Sequence, residues 1–165
     1  MTPFILLSLL ASGAQIDCPL GEISDSARVA LAISSRPAAD GDSPPIPADA
    51  RAEVGRAVDI CAARHGWNRD QRWEATTFTL NSIARDELAK IATARGVDPA
   101  KVEAAIRALP AAKRSPLEPP ESATAQGIRA ALAAQGIDMA DSARAGAAMA
   151  LARTWSWLLF VTDEG

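Results

Sequence analysis

Residues 49–109 read DARAEVGRAVDICAARHGWNRDQRWEATTFTLNSIARDELAKIATARGVDPAKVEAAIRAL, and this stretch decides the fold. Its punctuation divides it into three helices, 49–65, 68–95 and 98–109. Asp49, Asn68 and Asp98 stand where N-caps belong, because a short side-chain oxygen there can accept from an orphan N–H of the first turn. Gln71 follows Asn68 at the capping-box position, and Pro99 follows Asp98 at the first helical position, where a missing N–H costs nothing. Val97 and Val102 occupy the two positions of a hydrophobic staple. Gly66 and Gly96 close the first two helices, since glycine alone enters the left-handed region without strain.

Within these segments apolar residues recur by threes and fours, which gathers them on one helix face. Ala50, Val54, Ala57, Val58 and Cys61 form the inner stripe of the first helix. Trp73, Thr77, Leu80, Ala84, Leu88, Ile91 and Arg95 form a stripe on the second, which assigns Trp73 to the core. Val102, Ile106 and Leu109 do the same for the third. One residue separates Gly66 from Asn68, so the first two helices are neighbours, antiparallel or steeply crossed.

Outward from this centre the same punctuation continues. Residues 19–35 form one amphipathic helix with Ile23, Ala27, Ala30, Leu31 and Ser34 on a face and Ser24 as a candidate cap. Residues 36–48, with Pro37, Pro44, Pro45 and Pro47, form a linker, and residues 110–120, with Pro110, Pro116, Pro119 and Pro120, form a loop. A helix over 121–135 turns Ile128, Ala131 and Leu132 inward and stops at Gly136; the last helix, capped by Asp138, runs to about residue 161. No repeat and no strand pattern is present. The expectation is an all-α chain: a single irregular or orthogonal bundle of five to six helices over 15–165, following a segment of another kind.

That segment is 1–14. Phe4 to Ala11 is apolar yet too short to span a bilayer, and Ser12 and Ala14 supply small residues at −3 and −1 of a cleavage site. It reads as a signal peptide and places the mature chain in the periplasm or outside the cell. In such a compartment the two cysteines, Cys18 and Cys61, read as a disulfide. A cross-link of this span stabilises by about 4 kcal/mol on a chain-entropy account.

Net charge is −3, and the arginines are spread over helix faces beside acids, which argues against nucleic acid as a partner. Arg153 and Thr154 interrupt the apolar run of the last helix, so the mature chain carries no membrane span.

Chemistry-bearing motifs are sparse. His65 lies four residues after Cys61, the spacing of half a zinc site, but no second Cys/His pair completes it and a disulfide consumes the thiol. Asp40-Gly41-Asp42 lacks the spaced acids of a calcium loop. Gly-x-Ser-x-Gly and phosphate-binding glycine loops are absent. The reading therefore assigns no catalytic residue, cofactor or metal. It favours a non-enzymatic module binding a periplasmic protein, with a hydrolase using acids of helices 49–65 and 68–95 as the alternative. Among those acids are Glu53, Asp59, Asp70, Glu74, Asp86 and Glu87.

Four tryptophans are the other landmarks. Trp67 packs over its interhelical turn. Trp155 and Trp157, two apart, point in nearly opposite directions on a helix. Trp155 shares a stripe with Ala148, Leu151 and Leu158 and should face the core. Trp157 shares one with Arg153 and Phe160, and the charge of Arg153 must reach water or a partner. Arg153, Trp157 and Phe160 thus mark a partner patch near the C-terminus, with Arg153 along the Trp157 ring.

Overall fold

The computed structural model describes residues 15–37, 44–116 and 122–163. The expected signal peptide (1–14), the Asp40-Gly41-Asp42 turn, and Pro119 and Pro120 of the second loop lie outside the described residues. Those described form seven α-helices, one 3-10 turn at Ala111–Lys113, and no strand. The helices are α1 (Cys18–Glu22), α2 (Asp25–Ser34), α3 (Ala48–His65), α4 (Arg69–Ala94), α5 (Pro99–Arg107), α6 (Ala123–Ala134) and α7 (Ser142–Asp163).

Seven replaces the expected five to six because 19–35 is two helices. Ile23 is extended, and Ser24 caps α2 by accepting from the Ala27 N–H. The backbone N–H of Ser24 donates to Glu53 of α3, so the start of α2 is fixed across the fold as well as locally. Two starts move by the same logic. Asp49 is not the cap of α3; Pro47 precedes its first residue, Ala48, and Asp49 lies in the first turn. Asp138 is not the cap of α7; Asp141 accepts from the N–H groups of Ala143 and Arg144, and the helix begins at Ser142. Of these two acids, the one next to the unbroken helical run holds the cap.

The other signals behave as expected. Asn68 and Gln71 form a reciprocal capping box, and Asp98 caps α5 ahead of Pro99. Gly66, Gly96 and Gly136 all adopt positive φ, each just past a helix end.

α4 is the axis. It contributes Leu88 and Ala92 to a cluster with α5, α6 and α7, Ile83 to a second with α2 and α3, and Ala75 to a third around the disulfide. α4 and α7 share the most extensive helix–helix contact and run antiparallel. Arg95 at the end of α4 donates to the Ala143 carbonyl at the start of α7, and Trp73 near the start of α4 meets Trp157 near the end of α7.

The stripe expected on α4 holds in its second half, where Leu88 is buried and Leu80, Ala84 and Ile91 pack against the cores, but not at its start. Ala75, Thr79, Ser82, Ile83, Glu87, Leu88 and Ala92 are buried, whereas Trp73 is 49% exposed. The residues turned inward are mostly small. Neighbours approach α4 from two sides, and small side chains let the backbones come close. Trp73 is too large for that seam and lies at its edge.

Cys18 and Cys61 are joined by a disulfide, with Cα atoms 6.0 Å apart. Arg64 reinforces the tie, donating to Glu22 of α1 at 2.9 Å and lying 3.6 Å from the Cys18 sulfur. Among the described residues no helix is long and apolar enough to cross a membrane.

Candidate functional site

The C-terminal helix positions the residues of interest. Residues 153, 157 and 160 fall at steps of four and three, so the backbone of α7 sets them on one side. Trp157 and Phe160 meet edge to face at 6.0 Å. Trp73 of α4 joins both, at 6.3 Å from Trp157 and 6.4 Å from Phe160, again edge-on. Such edge-to-face contacts are each worth about 0.5–1.5 kcal/mol beyond buried area. The three rings therefore form an ordered cluster, with Trp157 and Phe160 half-buried and Trp73 the exposed member. Sequence reasoning missed Trp73 here because it counted a large apolar side chain in a regular stripe as core.

Arg153 does not lie along Trp157. The cation–π contacts in this region fall on Trp155 instead: Arg85 of α4 stands 5.5 Å from its ring centre and Arg107 of α5 stands 5.4 Å away. Trp155 packs against the α5–α7 cluster yet is only half-buried. Each of those arginines also holds an acid, Asp86 and Glu103 respectively. This arrangement ties α4, α5 and α7 to one ring.

Arg153 faces a cleft between α6 and α7, with a volume of about 280 Å³. Ala125, Ile128, Met149 and Ala150 give it an apolar floor, and Arg129 joins Arg153 in lining it. Ser156, whose hydroxyl donates to the Ala152 carbonyl, is fully buried at its base. No carboxylate belongs to the described lining. Arg129 came without warning from the sequence. Nothing connects positions 129 and 153 until α6 is laid beside α7.

A second groove, between α2 and α4, carries charges of both signs. Glu87 is buried at its edge, held by Arg36 at 2.6 Å and Lys90 at 3.3 Å. Burial alone pushes its carboxyl up; the hydrogen bonds and charges of Arg36 and Lys90 outweigh burial and leave it below the ordinary carboxylate value. Glu53 is also lowered, chiefly by its bonds with Ser24. Asp59 pairs with Arg72, and Asp86 with Arg85.

His65 is exposed and stacks on Trp67 at 5.7 Å, while the sulfur of Cys61 is in the disulfide. Trp67 is buried over its turn beside Cys61, Ala62 and Ala75. Among the described residues no group of three or more His, Cys, Asp or Glu could hold a metal ion. Set against known protein families, curated proteins and solved structures, the chain matches none.

Proposed function

We propose that the chain is a small exported, non-enzymatic binding module that presents the Trp73–Trp157–Phe160 cluster to a protein of the cell envelope. The observation that carries this reading is Trp73, 49% exposed yet held edge-on by two other rings. An aromatic that is ordered before contact loses little conformational freedom on binding, which is why tryptophans anchor interfaces. The Cys18–Cys61 disulfide supports an oxidising compartment, as does the apolar run before Ser12 and Ala14. The acids of α3 and α4 lend the hydrolase alternative little: Glu53, Asp59, Asp86 and Glu87 are engaged in caps and ion pairs.

Affinity isolation of the mature protein from its own envelope, run beside W73A and F160A variants, tests the reading. A discrete protein that reconstitutes with the purified wild type and binds each variant at least tenfold more weakly supports it. Equal binding by wild type and variants removes the aromatic cluster from the argument. Intact mass of the envelope-derived chain reports whether 1–14 has been cleaved.

A further inference from the structure

The α6–α7 cleft invites a different occupant from the aromatic cluster. Most arginines of this protein are spent internally. Arg36, Arg56, Arg64, Arg72, Arg85, Arg107 and Arg144 make ion pairs, and Arg28, Arg51, Arg95 and Arg114 reach backbone carbonyls. Among the described residues, Arg69, Arg129 and Arg153 make no ion pair and no hydrogen bond, and the last two line this cleft.

Two uncompensated guanidiniums beside a floor of Ala125, Ile128, Met149 and Ala150 describe a charge pattern, cationic at the head and apolar at the base. Guanidinium presents a planar fork of donors that matches a carboxylate. The cleft is at the bottom of the size range of small-molecule sites. We infer that the α6–α7 cleft binds a small single-chain carboxylate amphiphile, its head on Arg129 and Arg153 and its chain along Ile128 and Met149. The inference does not depend on the aromatic cluster, which belongs to α4 and the end of α7.

Decanoate is the probe, titrated into the mature disulfide-bonded chain and followed by backbone amide shifts and calorimetry. Shifts centred on residues 125–129 and 149–153 are expected, with binding weakened by added salt as an ion pair requires. Decylammonium should bind at least tenfold more weakly than decanoate, because it places like charge against the arginines. Acetate should bind at least tenfold more weakly as well, because it has no chain for the floor. An R129Q/R153Q variant should lose at least tenfold in decanoate affinity while its helical circular dichroism is unchanged. A150F, which fills the floor and keeps both arginines, should lose binding too. Equal binding of decanoate and decylammonium would reduce the cleft to a greasy surface and overturn the inference. Equal binding of decanoate and acetate would reduce it to two surface arginines, with the same consequence.

Discussion

At the N-terminal end, α1, α2 and α3 close over Ala27, Leu31, Ala50, Val54, Ala57 and Val58, with the Cys18–Cys61 bridge beside them. At the other end, α5, α6 and α7 close over Val102, Ile106, Ile128, Leu132, Leu151 and Leu159 against α4, with no covalent link. Alanine makes up a similar share of both cores, but the first is the smaller, with eight buried residues against fourteen. A core that buries little apolar area needs another source of stability, and the bridge supplies it by restricting the unfolded chain. The two ends of one helical array thus reach order by different physical means, and α4 belongs to both.

The comparison breaks if both ends respond alike to the same insult. Removing the bridge in a C18S/C61S variant should cost about 4 kcal/mol by the loop-entropy account for a separation of 43 residues. Amide hydrogen exchange should show the lost protection centred on α1 and α3, with α5–α7 opening only at higher cost. Leu151→Ala, at a position with no exposure, should cost about 3 kcal/mol through lost burial and the cavity left behind. Its lost protection should centre on α5–α7. Uniform loss in both variants would mean that the array has no such division.

Much of the helix layout is legible in the amino-acid sequence itself, and the reason is local. All five residues expected on the inner face of α3 are buried, because α3 has one core side and one solvent side. The capping box at Asn68 and the glycine stops need only nearby backbone to act. α4 is where periodicity misleads. It registers large side chains, so it selects the Trp73 stripe. The fold buries Ala75, Thr79 and Ser82 instead, since close helix approach selects small residues. The cleft is invisible in the sequence for another reason: Arg129 and Arg153 lie on different helices, and their lack of partners emerges only from the placement of the helices around them.

That seam gives the next prediction, with the opposite sign. Thr79 is fully buried and its hydroxyl has no hydrogen-bond partner among the described residues. A buried hydroxyl without a partner costs free energy that a methyl of the same shape does not. Thr79→Val should therefore stabilise the protein by about 1 kcal/mol, read as a higher denaturant midpoint at unchanged slope. A loss of stability would mean that the hydroxyl has found a donor or acceptor, and that the α4 seam is polar at its centre.

The smallest effect is expected at the edge of the same seam, and it separates the two faces of α4 most directly. Trp73 is about half exposed, so truncation removes two edge contacts and little burial. Trp73→Ala should cost about 1 kcal/mol, the low end of what two edge contacts are worth and well below the roughly 3–5 kcal/mol typical of a core tryptophan. Acrylamide quenching of single-tryptophan variants should rank Trp73 most accessible and Trp67, 8% exposed, least. Trp155 and Trp157 should fall between, because both are half-buried. Their order carries further information. Trp155 is shielded by Arg85 and Arg107. Trp157 is shielded by two rings, one of them Trp73 itself. In the Trp157-only protein, Ala in place of Phe at position 73 should therefore raise the quenching of Trp157, and the same exchange in the Trp155-only protein should leave that of Trp155 unchanged. If Trp157 does not respond, the three rings are not one cluster, and the surface assigned to a partner is reduced to an isolated exposed tryptophan.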